Sequence, residues 1–457
     1  MLRSSGGVPY AELPVGHGRF RAPEPVRSWT DPRDSCLTLD IWSPDPGTAG
    51  LPVMVWIHGG RYLEGDSADP HCDGAALVRG GVVMVSLNYR TGVEGFAHIP
   101  GAPDNRGILD QATALRWVQD NIAAFGGDPD NVTVFGQSAG AGCIAALLAM
   151  PSAAGLFRRA IVQSLPGTYF TPRLAATISA TIAAELGTQP TIEGLSRHSR
   201  RALLDATHTV LRKMPSFLDA CGPMALTPTP FSPVVDGELF PHAPWHALAH
   251  GSARGIDVLV GHTRDEYRLF ATHLGDPITE EHLSRALTHL TPVPNGSTDY
   301  RTLYPTLTPA ELHELIHADW LFRMPTLHLA NAHHAGGGRT WTYELTWSFN
   351  TVEAASHSLD FLLVFGTLTA ETIRNHPAAR QNALEELAHV SHEMRTAWLT
   401  FTAKGTPGWP PYTPTNRLTR VFSSTPQTEP YPEDRSRRIW QSHEFTTLDL
   451  PATARFR

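Results

Sequence analysis

The segment Val132-Thr-Val-Phe-Gly136-Gln-Ser138-Ala-Gly140 sets a serine between two glycines, where an apolar run gives way to small residues. The pattern G-x-S-x-G suits a tight strand-to-helix turn in which a Cβ at either glycine clashes and the serine hydroxyl is lifted above the sheet. Such a serine lies at a helix N-terminus, whose unpaired N–H groups favour developing negative charge. The chemistry this allows is attack on an acyl carbon, with the amide of Ala139 as one donor to the oxyanion. The same pattern also fits an inert turn, so context decides. Pro52-Val-Met-Val-Trp-Ile-His58-Gly59-Gly60-Arg61 supplies it: a second apolar run ends in two glycines, a loop that can bring further backbone amides toward an oxyanion.

A serine nucleophile needs a base to take its proton and an acid to orient that base, and in a sheet of this kind they follow the serine in the chain. After the run Asp257–Val260 come two adjacent carboxylates, Asp265 and Glu266. After Arg339–Leu345 comes His357, one of 23 histidines, most of which must be solvated. His58, before the glycines, reads as a residue that shapes its loop. A rival pattern is His313-Glu-Leu-Ile-His317, the spacing that lets two histidines on one helix face hold zinc with Glu314 as base. Thr308, Pro309 and Glu311 predict that helix start. The stripe Leu312, Ile316 and Trp320 leaves both histidines on its flank, and no third ligand stands out, so no metal is expected.

These groups must be carried by a scaffold. Leu37, Leu39 and Ile41 alternate with polar residues as a half-buried strand does. Pro52–Ile57, Val82–Tyr89, Val132–Phe135, Ala160–Val162 and Asp257–Val260 are short apolar runs, suited to parallel strands covered on both faces. Arg339–Leu345 and Arg417–Phe422 read as later strands. Helical spacing falls between them, at Gln111–Phe125 before Gly126 and between Ala379 and Lys404 before Gly405, where Leu384, Leu387, Met394, Trp398 and Phe401 form a stripe. Alternating strands and helices predict an α/β fold with a mainly parallel central sheet, helices on both faces and helical insertions near the active site, one of them at about 171–230. No linker divides the chain, so residues 1–457 read as a single domain.

Composition narrows the function. The 457 residues are 41% hydrophobic and 18% charged, with a formal net charge of −8, which disfavours nucleic acid as a partner. No apolar run approaches the ~18 residues of a spanning helix, and the N-terminus lacks a signal-like core. Cys36, Cys72, Cys143 and Cys221 are scattered and read as free thiols. A cytoplasmic protein without membrane, cofactor or metal is expected; the oligomeric state is not encoded in any motif.

The chain resembles the type-B carboxylesterase and cholinesterase family of the α/β-hydrolase superfamily. The likeness runs through Gly7-Val-Pro-Tyr-Ala-Glu-Leu-Pro-Val-Gly16, Cys36-Leu-Thr-Leu-Asp-Ile-Trp-Ser-Pro44, Leu87-Asn-Tyr-Arg90, Asp104-Asn-Arg-Gly-Ile-Leu-Asp-Gln111, Pro233-Val-Val-Asp-Gly237 and Gly408-Trp-Pro-Pro-Tyr412. It implies a carboxylic-ester hydrolase working through an acyl-enzyme. By resemblance the triad is Ser138, Glu266 and His357, with Asp265 shaping the loop. The oxyanion donors are Gly60, Arg61 and Ala139. Gly59, Gln137 and Ser164 play supporting parts.

The chain also departs from the family. Arg61 stands where a third glycine is usual, Gln137 where glutamate precedes the serine, Leu165 and Tyr267 where glycines follow, and Asp360 where glutamate is commoner. The segment between Trp29 and Cys36 is short, which leaves Cys36 without its usual partner, and the first strands before Gly7 are expected to be missing or reduced. Gln137 weakens any preference for cationic esters. Small to medium neutral esters are therefore the expected substrates. An acyltransferase, thioesterase or lactonising enzyme shares the same acyl-enzyme, and a binding module that has lost catalysis is a further alternative.

Overall fold

The computed structural model describes residues 3–26, 37–273 and 277–451. Cys36 and the short segment before it lie outside the described residues. The chain forms two compact units. One is built from the chain up to Ala160, Thr168–Ala247 and the segment from Thr446; the other from Ile161–Gly167 and Leu248–Phe445.

The first unit carries β1 (Arg3–Pro9), β2 (Thr38–Ser43), β3 (Leu51–Ile57), β4 (Val83–Leu87) and β5 (Gly127–Gln137). They lie in the order β1-β2-β4-β3-β5. β3 is parallel to both β4 and β5, while β2 is antiparallel to β4 and to β1. Where the first strands before Gly7 are expected to be missing or reduced, β1 begins at Arg3: Val8 and Pro9 pair with Leu39 and Thr38, and Val8 is buried against the core. Its glycine-rich sequence gives no alternation to read, because pairing with β2, not local propensity, holds it extended.

β4 is buried along its whole length and β3 from Val53 onward, which is why their sequences read as apolar runs rather than alternations. The helix Arg106–Asn121 runs on through a 3-10 turn to Phe125 and stops at Gly126, whose φ of 87° is left-handed. Two sequence landmarks prove structural here. Asn105 donates to the carbonyl of Val234 at 2.7 Å and accepts from its amide at 2.7 Å. Arg90 makes a buried ion pair with Asp110 at 2.7 Å. The alanine- and threonine-rich stretch after Thr171 folds as helices Pro172–Glu185, Ile192–Ser196 and Arg200–Lys213, each started by a Thr or Ser cap.

β6 (Arg159–Gln163) leads into the second unit, which carries β7 (Asp257–Thr263), β8 (Thr340–Leu345), β9 (Leu418–Phe422) and β10 (Gln427–Pro430) in the order β6-β7-β8-β9-β10. β7, β8 and β9 are parallel, and β10 closes the edge antiparallel to β9. β10 is exposed and polar, so no hydrophobic signal marks it. The helix Ala383–Lys404 ends at left-handed Gly405. Its buried face carries Ala383, Val390, Met394, Trp398 and Phe401; Leu384, part of the expected stripe, is exposed, one position off that face in the first turn. Among the described residues no helix is long and apolar enough to cross a membrane.

Candidate active site

In the first unit, register brings the two glycine motifs together. Ile57, last of β3, is the partner of Gly136 in β5. Both strands run the same way, so His58-Gly59-Gly60 and Gln137-Ser138 leave the sheet at one edge, where open α/β sheets bind ligands. The approach is close. A Cβ at Gly59 would lie 2.8 Å from the carbonyl oxygen of Gln137 and 3.3 Å from Cβ of Ser138. A Cβ at Gly140 would meet the carbonyl oxygen of Ile57 at 2.0 Å, and one at Gly136 the same atom at 2.6 Å. The glycines of G-x-S-x-G are thus required by backbone contact.

Ser138 sits between them with φ 58° and ψ −124°, a conformation rare for a residue with a side chain and costing ~1–3 kcal/mol. It caps the helix Ala139–Ala149, whose eleven residues are all buried. The helix is small-residued, which lets it pack against β3 and β5. The amide of Ala139 is its first N–H, and the carbonyl of Ser138 accepts from Gly142 at 2.9 Å.

The loop after β3 is equally constrained. Gly60 has φ 111°, and a Cβ there would lie 2.1 Å from the carbonyl oxygen of Glu64. Its own carbonyl accepts from Leu63 at 2.9 Å and Glu64 at 3.1 Å. Arg61 follows with φ 59°, the left-handed region that a glycine enters freely. Thr229 holds it there by donating to its carbonyl at 2.6 Å. Arg61 thus holds a left-handed position without being a glycine. His58 is buried, stacks on Tyr89 with ring centroids 4.3 Å apart, and bonds the carbonyl of Gly59 at 2.8 Å. Burial pushes its pKa down to about 4, so it stays neutral and shapes the loop.

The second unit repeats the logic with charges. Thr263 of β7 pairs with Leu345 of β8, so the loops that follow leave one edge together. One carries Glu266 and the other His357. Nδ1 of His357 and Oε2 of Glu266 are 2.5 Å apart, and neither side chain is more than 4% exposed. The other oxygen of Glu266 accepts from the amide of Thr263 at 2.9 Å. Burial drives the Glu266 carboxyl up, but the charge and hydrogen bond of His357 outweigh it, with smaller help from Ser164 and His262, and hold it below the usual carboxylate range. Ser164 is fully buried with φ 58°; its hydroxyl makes no well-formed hydrogen bond among the described residues but lies close enough to steady Glu266.

Asp265 does not face the histidine ring. It accepts from the amide of Ala355 at 3.0 Å and donates its own amide to the carbonyl of Ala355 at 2.9 Å, tying the two loops together. Asp360 accepts from Tyr343 at 2.6 Å and Gln163 at 3.0 Å, a buried anchor for the helix after His357. Sequence reasoning missed the aromatic walls of the histidine: Phe322 and Phe270 lie 4.4 and 5.3 Å from its ring. They come from distant segments, and no local pattern marks them.

The zinc-like pair is part of the core. The capping box at Thr308 and Glu311 forms as expected. Yet His313 and His317 are buried, not on a solvated flank: the rings lie 4.0 Å apart and His317 stacks on Tyr267 at 4.4 Å. Burial lowers their pKa values to about 4 and about 3. Glu314 is paired with Arg268 at 2.6 Å. Among the described residues no cluster of three or more His, Cys, Asp or Glu is placed to hold a metal ion.

The candidate residues therefore fall in two groups. Gly59, Gly60, Arg61, Gln137, Ser138 and Ala139 belong to the first unit; Ser164, Glu266 and His357 belong to the second. The profile of the carboxylesterase family matches residues 32–440. The para-nitrobenzyl esterase of Bacillus subtilis (strain 168) is 37% identical over 94% of this chain and 93% of its own length. A thermophilic PNB esterase structure superposes with a TM-score of 0.83 at 36% identity, covering 96% of each chain. A carboxylesterase structure from Geobacillus stearothermophilus gives 0.82 at 34% identity, also over 96% of each.

Proposed function

The chain belongs to the carboxylesterase family, has the α/β-hydrolase fold and is a carboxylic-ester hydrolase, and on that premise we propose that Ser138, His357 and Glu266 are its catalytic triad. His357 takes the proton of Ser138 as Oγ attacks the ester carbonyl, then returns it to the departing alcohol. Glu266 fixes the proton on Nδ1, which makes Nε2 the basic nitrogen, and offsets the charge of the imidazolium. The amides of Gly60, Arg61 and Ala139 receive the oxyanion, and water then cleaves the acyl-enzyme.

The observation that carries this reading is the buried hydrogen bond of 2.5 Å between His357 and Glu266. An exposed pair would shape a surface; a dry one holds a single tautomer for use. The proposed substrates are small to medium esters without a cationic head, since Gln137 puts no negative charge beside the nucleophile. We assign the protein to the cytoplasm and treat the whole chain as one catalytic domain.

The test is hydrolysis of a short-chain p-nitrophenyl ester by wild type and Ser138→Ala, with and without chelator. Turnover that vanishes in the variant, by roughly 10⁴- to 10⁶-fold, and ignores the chelator supports the triad. Turnover that survives Ser138→Ala, or that chelation removes, overturns it.

A further inference from the structure

Arg61 brings a positive charge into the loop that lies against Ser138, and three features of its surroundings say what that charge can do. First, the backbone that carries it is held in place. Gly59, two residues earlier, is packed on the backbone of Gln137 and on Ser138, and the carbonyl of Arg61 is tied by Thr229. Arg61 itself takes a left-handed φ of 59°.

Second, the guanidinium is available. It bonds only to Oε1 of Glu64 at 2.7 Å among the described residues, and the two side chains are 35% and 55% exposed. Such a surface pair is weak and easily exchanged. Asp66 and Asp69 accept from the amides of Ala68 and His71, each at 2.9 Å, and neither pairs with Arg61 among the described residues. Third, the residue before the nucleophile is the neutral Gln137, so no fixed carboxylate there repels an anion.

We propose that Arg61 is a specificity-determining residue that leaves Glu64 to pair with a carboxylate on the substrate. The enzyme then favours esters whose acyl part ends in a carboxylate a few atoms from the scissile carbonyl, over neutral esters of equal length. An arginine suits this role because its planar fork accepts a carboxylate through two parallel bonds. The proposal rests on the esterase reading and extends it from neutral to singly anionic substrates.

The experiment compares kcat/KM for p-nitrophenyl hexanoate with that for the p-nitrophenyl monoester of adipic acid, corrected for spontaneous hydrolysis. The ratio of anionic to neutral ester is the readout, because it cancels any effect on the oxyanion donors. Arg61→Gln should lower the ratio roughly fivefold, and Arg61→Lys should restore part of it. Glu64→Gln should raise it by freeing the guanidinium. Added salt should lower the wild-type ratio as it screens the pair. A ratio indifferent to Arg61→Gln, or one that Glu64→Gln leaves unchanged, overturns the proposal, while turnover of the neutral ester by wild type leaves the esterase reading intact. Absence of turnover of both esters by folded wild type overturns both.

Discussion

The loop–elbow region around Ser138 and the loop pair around Glu266 and His357 solve one problem by different means. The first is built from backbone. Gly59, Gly136 and Gly140 let two chain segments approach to distances that any Cβ would prevent, and Ser138 between them is held in a rare conformation. The second is built from side chains. A carboxylate is taken out of water and kept ionised chiefly by His357, whose ring is walled by Phe270 and Phe322. On the proposed roles, the lesson is that a nucleophile needs position, which sterics supply, whereas a base needs a defined proton, which a desolvated partner supplies.

That contrast can be broken by perturbing each side in its own currency. Glu266→Gln keeps the shape and removes the charge. It should lower kcat by about 10⁴-fold, as expected when an orienting acid is neutralised, with little change in fold by circular dichroism. A loss under tenfold would mean that the carboxylate does not orient the base. On the other side, Gly140→Ala adds one methyl, aimed at the carbonyl oxygen of Ile57 from 2.0 Å. The turn must shift by about an ångström, which typically costs ~10²-fold in rate. Wild-type kcat and Tm in that variant would show that the elbow is not sterically fixed.

A third prediction concerns acid. In the second unit burial lowers the pKa of His262 to about 4, His313 to about 4, His317 to about 3 and His328 to about 4, whereas in the first it lowers that of His58 to about 4. Unfolding frees these rings to bind protons at the ordinary ~6.5. Between about 6.5 and 4 the unfolded chain therefore holds more protons than the folded one, and stability falls as pH falls through that window. Glu266 adds to the loss further down, because its depressed carboxyl stabilises the fold only while ionised. Hydrogen exchange at pH 5 should show the second unit opening before the first; equal protection in both would contradict the contrast. The smallest effect is expected at Glu314, which pairs with Arg268: Glu314→Gln should leave turnover unchanged with or without chelator.

The backbone half was the more legible in the sequence. Its glycines are written in order, and the apolar runs of β3 and β5 announce the strands that present them. Ser138 and the loop from Gly59 to Arg61 could be found by pattern alone. For the second half the strands β7 and β8 were readable, but the choice of Glu266 over Asp265 rested on resemblance, since adjacent carboxylates carry no local sign of which way they turn. The burial of His313 and His317 was not readable either, because it depends on Tyr267 packing over their flank from another segment. β1 and β10 escaped for a related reason: edge strands take their shape from a neighbour and leave no periodic trace of it.

The central claim is that Ser138 is the residue that carries the acyl group. The direct measurement is to quench a reaction with a slowly released aryl ester and map the added acyl mass by peptide mass spectrometry. The account predicts a single adduct on Ser138, in the peptide holding Gly136 to Gly140, and none in Ser138→Ala. An adduct on another residue, or steady turnover with Ser138 unmodified, would contradict it.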